Sequence, residues 1–294
     1  MSEIQGVITA MATFFDVDGN VDVPSTRKLA RDLIEHGSHG VVVSGTTGES
    51  PTLEDEEKLA LLEAVLDEVG DEATVIFGSG SNDTRHSVEL TKAGAQAGAH
   101  ASLIATPYYN LPNRAGILGH FGAVAEAQPA LPMVLYNVPT RTVVNMSPDL
   151  LAELATIENV VAVKQANDSE LQDIPGLDLL AGNDGSFMDA LKLGGTGGIL
   201  VASHIAGNAM RQIWDLFQAG DTEGAETIDK NLRPVYAAMG VTTNPIPVKA
   251  ALEMAGCCPA TMRLPMVEAT ENEKAEIRTL IEQAGINLNE SLKS

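Results

Sequence analysis

Cysteine is scarce in this 294-residue chain: only Cys257 and Cys258 occur, side by side. Neighbouring cysteines rarely close an unstrained bridge, because their Cβ vectors are badly placed, and this pair falls in no metal-ligand spacing. They read as two small buried apolar residues in a chain suited to a reducing cytoplasm. Aromatic residues are also few, 4% against 44% hydrophobic overall, so the core is expected to be Ala, Val, Leu and Ile. Positive charge is short as well: 18 Lys and Arg face 40 Asp and Glu, a formal net charge of −22. That excludes a nucleic-acid partner, whose phosphates demand a basic face. It also means that a site for an anionic substrate must carry its own local positive charge. An acid excess with few lysines fits a salt-rich cytoplasm and an ordinary acidic protein equally. No apolar run approaches the ~20 residues of a membrane span. Met1-Ser2-Glu3 opens on no basic patch followed by an apolar stretch, so neither membrane attachment nor a signal peptide is expected and the cytoplasm is the expected compartment. His36, His39, His86, His100, His120 and His204 do not gather at metal-ligand spacings, which predicts a metal-free and cofactor-free mechanism.

What the chain does have is alternation. Short β-branched runs at residues 6–15, 40–45, 74–78, 101–106, 132–138, 160–164, 177–181 and 198–202 read as strands. Amphipathic stretches at 24–36, 53–69, 84–97, 116–127, 148–155 and 187–193 read as the helices between them, with a Glu-rich start to 53–69 that suits a helix N-terminus. Buried strands alternating with helices imply a parallel sheet covered by helices. Eight such units predict an α/β fold of the closed (β/α)8 TIM-barrel type rather than an open doubly wound sheet, and no glycine-rich dinucleotide fingerprint follows the first strand. From Asn208 onward the pattern is helical, at 209–218, 223–239, 247–255 and 271–284. The reading is a barrel over 1–220 with a helical C-terminal extension over 221–294, and no linker that demands an independent second domain.

In such a barrel the chemistry lies at the C-terminal ends of the strands. The polar residues found there are Thr46-Thr47-Gly48-Glu49 after strand two, Thr106-Pro107-Tyr108-Tyr109 after strand four, Tyr136-Asn137 with Arg141 after strand five, Lys164 at the end of strand six, and Gly182-Asn183-Asp184 after strand seven. Lys164 follows Val160-Val161-Ala162-Val163. A lysine in an apolar strand is costly unless it is paired or neutral, and a neutral amine is the nucleophile that Schiff-base chemistry needs. The competing reading is a lysine that snorkels out of the barrel end. Tyr136, one unit earlier, can both donate and accept a proton through one oxygen, or can simply be a packed tyrosine. The glycines and hydroxyls of residues 45–50 can hold a carboxylate through backbone and side-chain donors, or form a plain turn. Arg141 can fork onto a second carboxylate, or sit solvated on the surface.

Four motifs carry a resemblance: Gly45-Thr46-Thr47-Gly48-Glu49-Ser50, Thr106-Pro107-Tyr108-Tyr109-Asn110, Tyr136-Asn137-Val138-Pro139-Thr140-Arg141-Thr142, and the Val163-Lys164 strand end. With them the chain resembles the dihydrodipicolinate synthase and N-acetylneuraminate lyase superfamily of class I aldolases, from about residue 6 to 285. The resemblance implies that Lys164 forms an imine with pyruvate and that Tyr136 relays protons in a hydroxyl triad with Thr47 and Tyr109. It implies that Thr46 and Thr47 bind the pyruvate carboxylate and that Gly182 and Ile199 line the pocket. In the family the Tyr109 equivalent reaches the neighbouring subunit's site, which implies a homotetramer or at least a dimer. Arg141, Asn244-Pro245-Ile246-Pro247-Val248-Lys249 and Arg263-Leu264-Pro265-Met266 look like the synthase branch, whose partner substrate is aspartate 4-semialdehyde and whose product is 4-hydroxy-tetrahydrodipicolinate, in lysine and diaminopimelate biosynthesis. Two departures, Gln165 after the lysine and Asn183 after Gly182, each remove a carboxylate expected near the pocket rim. The positions matching the family's lysine-inhibition site are Pro51, Asp55, Lys58, Asn82, His86 and Tyr108; Lys58 and His86 oppose an incoming ammonium, so weak or absent inhibition is expected. A related aldolase for 2-keto-3-deoxy sugar acids is the alternative substrate reading, with Arg141 as discriminator. A barrel that binds a keto acid without catalysis is the alternative from another class, and retention of Lys164, Tyr136, Thr47 and Tyr109 together argues against it.

Overall fold

The computed structural model describes residues 4–288; residues 1–3, on which the expectation of no signal peptide rests, and the last six residues of the extension lie outside them. Eight parallel strands close in sequence order, β1 (Gly6–Ala10), β2 (Gly40–Val43), β3 (Thr74–Gly78), β4 (Ala101–Ala105), β5 (Met133–Asn137), β6 (Val160–Gln165), β7 (Asp178–Ala181) and β8 (Gly197–Leu200), and β8 pairs back onto β1. The helices between them are α1 (Val23–Glu35), α2 (Asp55–Val69), α3 (Thr84–Ala97), α4 (Arg114–Ala127), α5 (Pro139–Thr142), α6 (Pro148–Leu154) and α7 (Phe187–Lys192). Then follow α8 (Ser203–Gln218), α9 (Thr222–Ala238), α10 (Ile246–Met254) and α11 (Glu271–Gln283). This is the (β/α)8 TIM barrel with C-terminal helices that the alternation implies.

Strand alternation separates two apolar layers. Ile8, Val42, Ile76, Leu103, Val134, Ala162, Leu180 and Ile199 pack together inside the barrel. Their strand neighbours Val7, Val41, Val75, Ile104, Leu135, Val163, Leu179 and Leu200 pack outward against the helices. Branched aliphatic side chains dominate the inner layer, whereas the outer layer also takes up five of the six phenylalanines, Phe14, Phe15, Phe77, Phe121 and Phe187. Helix α2 starts on a capping box of Glu54 and Glu57 with Asp55, Glu56 and Glu57 in its first turn, where the exposed N–H groups favour negative charge.

Three boundaries differ from the sequence pattern. Strand β1 stops at Ala10 rather than continuing to 15. Beyond it the backbone N–H of Ala12 donates to His204 Nε2 and that of Phe14 to Thr26 Oγ1, while Phe15 bridges Val21, so this apolar run packs as a loop across the barrel end. Helix α8 begins at Ser203, six residues before the expected start at 209, and is interrupted at Ala206 (φ −122°, ψ 28°). A short helix, α5, follows β5 and carries Arg141. His204 is buried and its imidazole pKa is pulled down to about 4 by desolvation, so it stays neutral while holding Ala12. Cys257 and Cys258 are free and half-buried, and burial pushes both thiols up, Cys257 to about 11, as inert packing residues.

The extension reaches back to the barrel mouth through one buried contact. Lys249 of α10 donates from Nζ to Glu49 Oε1 at 2.7 Å and to the Thr261 carbonyl at 2.5 Å. The two charged side chains are 1% and 2% exposed. Glu49 Oε2 accepts from the Arg263 backbone N–H at 3.3 Å. Both cations also face Phe15: Lys249 Nζ lies 4.6 Å and the Arg263 guanidinium 4.7 Å from its ring centre. Burial pulls the Lys249 pKa down, and the charge of Glu49 opposes that fall. Arg263 meanwhile forks onto Glu57 of α2 at 2.7 and 2.6 Å, which holds the Glu57 carboxyl below the usual range. Removing one member of a buried pair strands the other charge, at about 3–5 kcal/mol. Lys249→Met is therefore expected to lower unfolding free energy by about that much, and Glu49→Gln added to it should restore a large part. Denaturant melts of the two variants check this; a single-variant loss below about 1 kcal/mol would contradict it.

Candidate active site

Register places the chemistry. Strands β5 and β6 pair with Tyr136 directly beside Lys164, and both residues sit on the inward-facing set of positions. Lys164 is 5% exposed and Tyr136 7%. The Lys164 Nζ lies 4.2 Å from the Tyr136 ring centre. A buried amine packed against an aromatic face thus stands near the C-terminal end of β6, at the barrel mouth.

That mouth opens into a cavity of about 590 Å3, lined among others by Thr46, Tyr136, Arg141 and Tyr108. Thr47 is buried just behind Thr46, and its Oγ1 accepts a hydrogen bond from Asn244 Nδ2 at 3.0 Å. The loop carrying both threonines is shaped by Ser44 and Glu49 at positive φ (57° and 56°), a costly backbone for residues with a Cβ, and Glu49 is held there by Lys249. Arg141 is exposed on α5 and donates from Nη2 to the Asn244 carbonyl at 3.0 Å. Ile199 lies in the inner apolar layer and Gly182 directly follows β7.

Tyr109 is the predicted residue that this chain does not bring to its own site. It is 88% exposed with φ 71°, while Tyr108 lines the cavity. The same cavity runs on to Pro51, Asp55, Lys58 and His86. Lys58 donates to Asp55 at 3.1 Å and His86 Nε2 lies 2.8 Å from the other oxygen. Burial raises the Asp55 pKa, but the hydrogen bonds from His86 and Lys58 outweigh it and leave the carboxyl below its usual range. Asn82 stands at the edge of this region, its carbonyl accepting from Asn110.

Gln165 is not a rim residue, contrary to the reading of its position. It follows the inward Lys164 and so points outward, 2% exposed, where its Oε1 accepts from Asn137 Nδ2 at 3.0 Å and from the Asn167 N–H at 2.9 Å. Asn137 in turn receives the Met146 N–H and donates to Asn145. This closed amide network ties β5 to β6 directly behind the Tyr136–Lys164 pair. Asn183 does lie at the rim, donating to Asp168 at 2.9 Å. Next to it Asp184 accepts the N–H groups of Val201 and Ala202, both at 2.9 Å. Burial raises its pKa, while those two N–H groups and the nearby charge of Lys164 act to lower it. Asp184 and Asn244 contribute without a role assigned from sequence: Asp184 stands there only among the polar residues after strand seven, and Asn244 only within a motif.

The barrel and its lysine-bearing strand end define the class: a (β/α)8 lyase. The sequence model of the dihydrodipicolinate synthetase family matches residues 3–284, and the chain belongs to that family. It is 45% identical over 287 residues to a 4-hydroxy-tetrahydrodipicolinate synthase of Symbiobacterium thermophilum, covering 95% of this chain and 98% of that one. Among solved structures, the dihydrodipicolinate synthase of Cyanidioschyzon merolae with lysine bound superposes with a TM-score of 0.93 at 37% identity, over 98% of this chain and 100% of that one. The chloride-inhibited enzyme of Acinetobacter baumannii complexed with pyruvate gives 0.92 at 36% identity, over 97% and 100%.

The close approach of β7 to β6 leaves no room at Gly182: a Cβ there would lie 2.6 Å from the Gln165 carbonyl oxygen and 2.8 Å from Ala166 Cβ. Gly182→Ala is expected to push the end of β6 sideways, lowering stability by about 1–3 kcal/mol and reducing turnover more than tenfold by displacing Lys164. Thermal melting with steady-state kinetics checks both; an active, equally stable variant would contradict the packing.

Proposed function

We propose that the chain condenses pyruvate with L-aspartate 4-semialdehyde to 4-hydroxy-tetrahydrodipicolinate, releasing one water, through a Schiff base on Lys164. The observation that carries the reading is the buried Lys164 amine beside the Tyr136 ring. The Lys164 nitrogen attacks the pyruvate carbonyl carbon, water leaves, and an imine forms. Loss of a C3 proton gives the enamine, whose carbon attacks the aldehyde; the amino group of the semialdehyde then displaces Lys164 and closes the ring. Tyr136, with Thr47 and the Tyr109 of a neighbouring copy, moves the protons. Thr46 and Thr47 hold the pyruvate carboxylate, Gly182 and Ile199 shape the wall behind it, and Arg141 meets the carboxylate of the semialdehyde.

The reading carries with it a cytoplasmic enzyme of lysine and diaminopimelate biosynthesis that needs no metal. It is a homotetramer in which the exposed Tyr109 serves an adjacent subunit, and each copy has its barrel over 1–220 and the extension over 221–294.

Borohydride added with pyruvate is expected to trap an adduct on Lys164, found by peptide mass mapping and lost in Lys164→Ala. No adduct there would overturn the mechanism. In coupled assays Arg141→Ala should cut kcat/KM for aspartate semialdehyde by about 100-fold, the loss of a charge-assisted fork of about 3 kcal/mol; preferential turnover of 2-keto-3-deoxygluconate by the unaltered enzyme would overturn the substrate assignment.

Lysine is expected to inhibit weakly or not at all, because an entering ammonium meets the Lys58 cation and the His86 ring, with Asp55 already engaged by both. A sub-millimolar inhibition constant in the coupled assay would contradict this.

A further inference from the structure

Asn244 stands immediately before α10, far from the strands, yet it touches two members of the site. Its Nδ2 donates to Thr47 Oγ1 at 3.0 Å, and its carbonyl accepts from Arg141 Nη2 at 3.0 Å. The remaining side-chain atom, Oδ1, is buried with no hydrogen-bond partner. Buried polar atoms are nearly always satisfied, and an exception asks for a reason.

The reason lies in what the amide does to Thr47. A threonine hydroxyl has one proton and two acceptor lone pairs, and its proton rotates to suit its surroundings. Thr47 is 2% exposed, so bulk water does not set that rotation. With the Asn244 N–H seated on one lone pair, the Thr47 proton is turned away from Asn244. The opposite orientation of the amide would satisfy Oδ1 by accepting the Thr47 proton, and would draw it away from the site. The orientation found leaves the acceptor empty and the proton free.

We propose that Asn244 is a positioning residue that sets the direction of the Thr47 hydroxyl proton, and so the direction of the proton relay through Tyr136. The inference rests on the pyruvate-imine reading and adds to it a group from the C-terminal extension that contacts neither the reacting carbons nor Lys164. Through its carbonyl the same residue anchors Arg141, so one backbone position aligns the relay and the second-substrate arginine.

The relay can be read without the second substrate. Enamine formation exchanges the pyruvate methyl hydrogens with solvent, so proton NMR of pyruvate in D2O with the full-length enzyme reports it directly. Asn244→Ala and Asn244→Asp are both expected to slow methyl exchange at least tenfold, while the pyruvate concentration that half-saturates borohydride trapping moves less than threefold. Asn244→Asp is the discriminating variant: it keeps the shape of the side chain, but its carboxylate only accepts and claims the Thr47 proton. A merely structural role predicts near-normal exchange in Asn244→Asp, and that result overturns the proposal. So does unchanged exchange with a raised KM for the semialdehyde alone, which would mean that Asn244 acts only through Arg141. If Asn244→Ala fails to fold by thermal melting, the Asn244→Asp exchange rate decides. Absence of trapping and exchange in the unaltered enzyme would instead defeat the pyruvate-imine reading itself.

Discussion

Glu49 and Lys249 meet at 2.7 Å in a place where neither side chain keeps more than 2% of its surface in water. Two charges taken this far from solvent are tolerated only with good geometry and further hydrogen bonds. The structure supplies them: the Thr261 carbonyl for the ammonium, the Arg263 N–H for the carboxylate, and the face of Phe15 for both cations. The consequence falls on the loop from Gly45 to Ser50. With Glu49 pinned at positive φ, the two threonines before it are presented to the barrel mouth in one arrangement. The loop is thus held from the C-terminal helices as well as from β2. Asn244, five residues before Lys249, exploits the same docking to reach Thr47 and Arg141.

A second constraint is charge. The chain carries −22 overall, yet both proposed substrates present a carboxylate, so attraction for it has to be generated locally. Several of its few cations are spent on carboxylate partners elsewhere: Arg31 on Glu68 and Glu72, Arg114 on Asp149 and Glu153, Arg233 on Asp229, Arg263 on Glu57. Arg141 is different. Its guanidinium bonds a neutral carbonyl rather than an acid, which leaves its charge undiminished at the cavity wall. The positive charge that a carboxylate substrate needs is kept on Arg141, where no acid pairs with it.

Much of this architecture is legible residue by residue. A lysine closing a run of Val and Ala is an anomaly that the local chain cannot explain away, and it marks the end of β6. The threonines between two glycines, and a tyrosine one unit before the lysine, are similarly visible. Other features leave no local trace. Residues 11–15 look like a continuing strand because apolar loop residues and apolar strand residues obey the same preference for burial. Gln165 looked like a rim residue until the pairing of β6 with β5, which shifts register between Met133 and Val134, showed it facing the helices. The helix carrying Arg141 is four residues long, too short for a periodic signal.

By itself the sequence determined the repeating βα order, the aliphatic make-up of its buried strands, and the identity of the groups available at the strand ends. These follow from partition between water and apolar surroundings over a few neighbouring residues, which periodicity records. Only the tertiary structure decided that Asn244 caps Thr47 across 197 positions, that Lys249 neutralises Glu49 across 200, and that Tyr109 turns out to solvent while Tyr108 turns in. Such contacts depend on closure of the whole barrel and docking of the extension onto it. Each is a single pairing with no repeat, so nothing in the local pattern announces which acid, amide or aromatic the fold will bring into contact.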